Sequence, residues 1–189
     1  MSNIVVELLP FALLALAAFW AIALYNNLVQ ARVRTREAWS GIDVQLKRRS
    51  SLIPNLVESV RGYARHEHEV FTEVTQARGA LAKAAGPEAT VAADQSLTQA
   101  LGRLLVVAEA YPQLKAAGNF TQLQDELADT EEKIAYARQF YNQNALAYNT
   151  SIQSFPGNMM ARSFGFEPVI FFAAEEAATR DVQVSFKVA

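Results

Sequence analysis

An apolar stretch near the N-terminus, from Ile4 to Leu24, most constrains what this chain can fold into. It holds about 21 residues with one charge, Glu7, which is the length that a helix needs to cross a hydrocarbon layer of about 30 Å. Trp20 and Tyr25, near its C-terminal end, are residue types that anchor helices at membrane interfaces. We therefore predict that residues 1–25 form a retained transmembrane anchor.

A cleaved signal peptide is the competing interpretation of this stretch. Such a signal begins with a basic region, and no Lys or Arg precedes Ile4. It also ends at a small-residue cleavage site before a polar mature start, whereas here a helical pattern continues directly beyond Leu24. We favour the retained anchor.

The charges that flank the apolar stretch predict its orientation. Arg32, Arg34 and Arg36 follow it closely, while the other flank carries only the α-amino group. Cytoplasmic flanks carry an excess of Lys and Arg, so we expect the N-terminus outside and the large domain in the cytoplasm. Anionic lipid contact is expected for the three arginines.

The apolar positions beyond Leu24 predict that the membrane helix continues into a soluble bundle. Their steps alternate between three and four residues, which keeps the side chains on one helical face. The positions are Tyr25, Leu28, Arg32, Thr35, Trp39, Ile42, Leu46, Arg49 and Ile53. An unbroken helix from Ile4 to Ile53 would be roughly 75 Å long. Pro54 should then kink this helix or begin a second one.

Three further helical blocks follow, and Gly and Pro fall between them. The first block covers residues 55–85, and its line of apolar residues is interrupted at Glu67. In the last block, Asn119 is a suitable N-cap. The predicted breaks are Gly86-Pro87, Tyr111-Pro112, Gly118-Asn119 and Phe155-Pro156-Gly157. The fold class is therefore all-α, with residues 26–163 forming the bundle.

Residues 164–189 form a predicted aromatic-rich tail. The phenylalanines at its start are too numerous to leave in water, so they should pack across the end of the bundle: Phe164, Phe166, Phe171 and Phe172. Farther on, Val182, Val184 and Phe186 alternate as in a strand. Since no second strand is predicted, we expect an extended tail that can pair with another subunit.

Composition excludes several classes of function. The net charge of -2 argues against nucleic acid as a partner. The absence of cysteine excludes disulfides, thiolate metal sites and cysteine nucleophiles. The chain also lacks a glycine-rich phosphate loop and a nucleophile-elbow serine. We predict no cofactor, no metal and no enzymatic activity.

Two weaker chemical sites compete with that expectation. If residues 66–73 are helical, His66, Glu69 and Glu73 share a face that could hold a metal, although we favour a salt-bridged surface. Glu109 lies in an apolar helix beside Tyr111 and could be a buried carboxylate with a raised pKa. For Glu109 we favour a structural hydrogen bond.

Two other patterns are candidate interaction sites. Lys47, Arg48 and Arg49 form a basic triplet, but successive helical residues point about 100° apart, which favours a solvated or salt-bridged surface. Tyr-Asn pairs recur at residues 25–26, 141–142 and 148–149. We interpret these pairs as pins that fix the register between helices, and a binding site is the alternative.

Two long segments resemble the signature of LemA family proteins. They are YNNLVQARVRTREAWSGIDVQLKRRSSLIPNLVESVRGYARHE and EAYPQLKAAGNFTQLQDELADTEEKIAYARQFYNQNALAYNTSIQSFPGNMMARSFGF. The resemblance implies a bacterial inner-membrane protein with one transmembrane helix and a cytoplasmic four-helix bundle of long antiparallel helices. It implies no catalytic residues. It also implies a possible neighbour, because family members are often encoded near membrane zinc proteases or TPM-domain proteins.

From these features we expect a non-enzymatic, membrane-anchored scaffold or adaptor that self-assembles into a homo-oligomer. The alternative is an accessory subunit of a membrane protease or transporter. Ala17 and Ala21 form a small-xxx-small pair on the membrane helix, which permits close helix approach. Val33, Ala38 and Val44 add apolar surface beyond the core line. A monomer with its tail packed on the bundle is the competing interpretation.

Overall fold

The computed structural model describes residues 2–115 and 117–172, and within the first nine residues it describes only the side chain of Leu8. In this part of the chain the fold is all-α, as predicted. The helices are α1 (Ser2–Arg61), α2 (His68–Lys83), α3 (Pro87–Glu109), α4 (Pro112–Lys115), α5 (Gly118–Gln153) and α6 (Gly157–Phe164). Val182, Val184 and Phe186, for which an extended tail was predicted, lie outside the described residues.

Helix α1 is 60 residues long and includes the whole predicted stretch from Ile4 to Ile53 without a break. Its first part is long and apolar enough to cross a membrane. Large side chains there, such as Phe11, Leu14 and Phe19, point away from the rest of the protein and are mostly exposed. The expected continuity between the apolar segment and the bundle is therefore confirmed.

Pro54 does not begin a second helix, because α1 continues through it to Arg61. Proline has no N–H, so the carbonyl of Ser50, four residues earlier, loses its helical donor. The Nε of Arg78 in α2 donates to that carbonyl at 3.1 Å instead. The chain turns only at residues 62–67, where the apolar pattern skips a step.

Helices α1 and α5 run antiparallel along the molecule. Thr35, nearer the apolar segment of α1, bonds to Asn144, whereas Arg48 farther along pairs with Asp129. In the distal half, α2 and α3 join them around a shared core. That core includes five fully buried residues: Leu56, Val60, Val74, Leu104 and Phe120.

The half nearer the apolar segment, which we call the proximal half, lacks α2, so α1 and α5 need other elements to cover their apolar faces. Helix α6 supplies part of this cover. Residues 165–172, which we call the strap, supply the rest. The core of this region consists of Leu28, Tyr148, Ile152, Ala161 and Phe166. The predicted packing of the aromatics across the bundle end is wrong, since the strap lies lengthwise beside α1 and α5.

Two glycines position α6 and the strap. A Cβ at Gly157 would collide with the backbone of Ser151, so glycine permits α6 to start tight against the end of α5. Gly165 ends α6 with φ 67°, a left-handed conformation that costs glycine little. This C-cap turns the chain from the helix into the extended strap.

The predicted N-cap of α5, Asn119, is two residues off. The helix begins at Gly118, and Ala117 occupies the cap position without a side-chain bond. The Asn119 side chain accepts a hydrogen bond from the adjacent Phe120 N–H instead, at 3.0 Å.

A buried ion network pins three helices together. Asp94 of α3 pairs with Arg138 of α5, and with Arg49 of α1 at 3.3 Å. Arg49 also reaches Glu131 of α5 at 3.0 Å. Burial raises the pKa of Asp94, and the positive charges of Arg138 and Arg49 oppose that shift. The network therefore fixes the register of α3 against both long helices.

We predict that Asp94→Ala lowers the free energy of unfolding by about 3–5 kcal/mol, because two arginines lose their shared buried partner. The matched control is Asp43→Ala, which removes an exposed partner of Lys47 and should cost less than about 1 kcal/mol. Urea unfolding of the full chain in mild detergent, followed by circular dichroism, measures both. Equal losses for the two variants would contradict the structural role of Asp94.

Candidate functional site

The most specific polar arrangement of the described residues joins α5 to the backbone of the strap. The Asn149 Nδ2 donates to the carbonyl of Val169 at 2.8 Å, and its Oδ1 accepts from the Val169 N–H at 2.9 Å. Asn142 makes the same two bonds with Phe172, at 3.0 and 2.8 Å. Each asparagine amide thus takes the place of a neighbouring strand.

The tyrosines beside these asparagines complete the arrangement. The Tyr148 hydroxyl donates to the carbonyl of Glu167 at 2.9 Å, and the Tyr141 hydroxyl donates to that of Ile170 at 2.8 Å. Burial raises the pKa of both phenols, so they stay protonated as donors at neutral pH. We call the four side chains the Tyr-Asn clamp.

The spacing of the clamp matches two different secondary-structure rises. Seven helical residues separate the two Tyr-Asn pairs, which corresponds to about 10.5 Å along α5. Their backbone partners in the strap lie three residues apart, and three extended residues cover about 10 Å. A helix with a seven-residue repeat can therefore hold an extended chain in a fixed register.

This geometry corrects the interpretation of the Tyr-Asn pairs. The pairs at 141–142 and 148–149 do not pin one helix to another; they bind an extended segment of the same chain. The first pair does not join the clamp, since Tyr25 packs against Phe164 and Phe166 while Asn26 is exposed. The repeat in the sequence indicated a shared face, but only the structure identifies its partner.

Aromatic contacts hold the two ends of the strap. Phe166 is buried beneath the Arg32 guanidinium, which lies 4.7 Å from its ring centre. Phe172 is buried between Trp39, at 6.0 Å between ring centres, and Arg138, at 4.6 Å. Phe164 and Phe171 remain about half exposed, so only two of the four phenylalanines are buried as expected.

The basic triplet is divided among three separate roles. Lys47 pairs with Asp43 on the surface of α1, and Arg48 pairs with Asp129 across to α5. Arg49 is buried with Asp94. The structure thus places these residues in salt bridges and does not bring them together as one patch.

The residues predicted at the membrane interface lie on several sides of α1. Trp20 and Arg34 are exposed, and Tyr25 is half-buried against α6. Arg32 and Arg36, one turn apart, both line a cavity of about 390 Å³ between α1, α5 and the strap. Its other lining residues include Thr35, Trp39, Tyr141, Tyr148, Gly165 and Glu167.

Neither of the two competing chemical sites has the geometry that motivated it. His66 lies in the turn before α2, so it shares no helical face with Glu69 and Glu73. Glu73 instead pairs with Arg103 of α3 at 3.0 Å. Glu109 is exposed at the end of α3 and is not a buried carboxylate. The described residues contain no cluster of three possible metal ligands.

We predict that Asn149→Ala weakens strap binding by about 1–3 kcal/mol, because it removes two hydrogen bonds to Val169. Asn149→Asp should have an intermediate effect, since a carboxylate accepts the Val169 N–H bond but donates none. Asn144→Ala is the matched control, because that amide bonds only to a carbonyl of its own helix. Amide hydrogen exchange at Val169 and Phe172 measures strap opening. Unchanged protection in Asn149→Ala would refute the clamp.

Comparison with known proteins agrees with this architecture. The family model described as LemA family matches residues 38–186. Magnetosome protein MamQ 2 of Paramagnetospirillum magneticum is 29% identical over 198 aligned residues, covering 90% of this chain and 73% of its own. Protein LemA of Metamycoplasma hominis is 28% identical over 161 residues, covering 85% and 74% of the two chains. The chain therefore belongs to the LemA family.

Proposed function

We propose that this protein is a non-enzymatic scaffold or adaptor, anchored by the first part of α1 in a bacterial inner membrane. The observation that carries the proposal is the unbroken helix from the apolar segment into the bundle. A continuous helix transmits position and orientation, whereas a flexible tether does not. The bundle would thus be held at a fixed height above the bilayer, with its N-terminus outside and the domain in the cytoplasm.

The use of the polar side chains supports a structural role. Asp94 and its arginine partners form ion pairs that fix the register of the helices. The side chains of the Tyr-Asn clamp form hydrogen bonds to the strap backbone. A catalytic site instead needs groups that converge on a space where substrate can react. One relative is named as a magnetosome protein, and the other carries only the name of the family. We therefore base the proposal on architecture rather than on one organelle.

Self-assembly is the second part of the proposal. Val33 and Val44 of α1 remain exposed by 53% and 56%, which supports an outer apolar contact. Ala38 does not contribute, since it is buried in the core. Ala17 and Ala21 permit close approach of membrane helices. Assembly would multiply weak partner contacts through avidity.

An accessory subunit of a membrane protease, TPM-domain protein or transporter is the second candidate. Tyr136 and Phe140 of α5 favour it, because these aromatic side chains are exposed by 71% and 47%. Exposed aromatic residues are enriched at protein interfaces. Binding of a partner and self-association would both use exposed apolar surface. Isolation of the intact complex distinguishes the two possibilities.

We predict that the full-length protein isolated in mild detergent has the mass of a homo-oligomer. A monomer across a wide concentration range would reject self-assembly. A stoichiometric protease or transporter copurifying with a single copy of this chain would favour the accessory role. A chain lacking residues 1–24, measured in parallel, shows whether the membrane helices are needed for assembly.

We also predict that a reporter enzyme active only outside the cytoplasm is silent when fused after Ala189. Arg32, Arg34 and Arg36 beside the anchor favour retention of that side in the cytoplasm. The matched fusion of a cytoplasmically active reporter should be bright. The reverse pattern of activities would overturn the orientation.

A further inference from the structure

The cavity of about 390 Å³ beside the strap contains positive charge that the fold does not neutralise. Arg32 and Arg36 line it, and Glu167 is the one acidic residue on its wall. Among the described residues, no carboxylate lies within salt-bridge distance of either arginine. By contrast, Lys47, Arg48 and Arg49 all have acidic partners. The cavity thus keeps an excess positive charge.

The fold holds one of these arginines in place. Arg32 stacks on the buried ring of Phe166, which limits the directions its guanidinium can take. A stacked guanidinium still presents its N–H donors at the edges of its plane, and these suit the oxygens of a phosphate. Arg36, one turn farther from the apolar segment, lies on the same cavity wall. The cavity is therefore lined by two residues whose guanidinium groups carry forked donors.

The cavity also lies at the right height for a headgroup. Arg32 follows Leu24 by eight residues and Arg36 by twelve, which corresponds to about 12 Å and about 18 Å along a helix. Helical side chains lean back toward the N-terminus, which brings the Arg32 guanidinium closer to the apolar segment. The polar layer of a bilayer extends roughly 5–8 Å beyond its hydrocarbon. Arg32 thus lies nearer to a headgroup at this surface, and Arg36 lies about 6 Å farther along the helix.

We propose that this cavity binds the phosphate of an anionic phospholipid headgroup through Arg32 and Arg36. This inference rests on the proposed membrane anchoring of α1. The shared chemistry is a phosphate ester or free phosphate held by two guanidinium groups. Since Arg32 also contacts the strap, a bound headgroup would link the bilayer, α1 and the strap at one point.

The test measures lipid retention by the full-length protein in mild detergent, using native mass spectrometry with phosphatidylglycerol and phosphatidylcholine. We expect phosphatidylglycerol to be preferred. Arg32→Gln and Arg36→Gln should each weaken its binding by about tenfold or more, since each removes charge-assisted hydrogen bonds. Arg34→Gln is the matched control: it removes the same charge from an exposed position of α1 that does not line the cavity.

Further variants and arms separate the alternatives. Glu167→Gln should strengthen phosphatidylglycerol binding, because it removes the opposing charge. Equal weakening by all three arginine variants would overturn the cavity and indicate diffuse attraction to the surface. Displacement of the lipid by millimolar inorganic phosphate would uphold the phosphate site but overturn its assignment to lipid. Arg36→Gln keeps the Phe166 contact, so its result does not depend on strap packing.

A separate measurement distinguishes failure of this site from failure of the anchor. Alkaline carbonate releases peripheral proteins from membranes and leaves spanning helices in place. If the protein stays in the membrane but all variants retain phosphatidylglycerol equally, only the cavity proposal fails. If carbonate extracts the protein, the anchoring on which the cavity proposal rests fails as well.

Discussion

The unequal lengths of the helices leave apolar faces of α1 and α5 that α2 and α3 do not cover, and the rest of the structure depends on how these faces are buried. Helices α1 and α5 extend far beyond α2, so the only long helices available to cover their apolar faces in the proximal half are each other. Two helices alone leave much of that surface in water. The strap and α6 cover it, and the Tyr-Asn clamp satisfies the backbone groups that an extended chain would otherwise leave unpaired.

The two halves are thus stabilised by different physical interactions. The distal half is a conventional apolar core, registered by the buried network around Asp94. The proximal half depends on hydrogen bonds from side chains to backbone, with aromatic rings at each end of the strap. Ordering an extended segment costs conformational entropy, which these bonds and the burial of Phe166 and Phe172 offset.

Periodicity predicted the all-α fold and the continuous first helix, because an apolar line across Leu24 can be read directly from the sequence. Of the two alternatives at Pro54, a second helix is wrong, because α1 continues to Arg61 and Arg78, which lies 28 residues beyond Ser50, supplies the missing donor to Ser50. Such a long-range compensation has no local signal. The buried position of Arg49 fits its place on the apolar line, but its partner Asp94 could not be identified from spacing.

The clamp shows both the reach and the limit of sequence reasoning at the site. The seven-residue repeat of Tyr-Asn indicated that these residues share one face of α5. This face binds the backbone of an extended segment rather than its side chains. Because backbone groups are the same at every position, the sequence does not indicate which segment is bound. The sequence-based preference for interhelical pins followed from the usual partners of such residues, not from their spacing.

The central claim is that the clamp holds the strap in one position along α1 and α5. The most direct measurement is the distance distribution between spin labels at Ser40 of α1 and Phe171 of the strap, both exposed, diluted with unlabelled protein. The chain has no native cysteine to interfere. We expect one narrow distance that broadens when Asn142 and Asn149 are both replaced by alanine. A broad distribution in the otherwise unaltered protein would contradict the account.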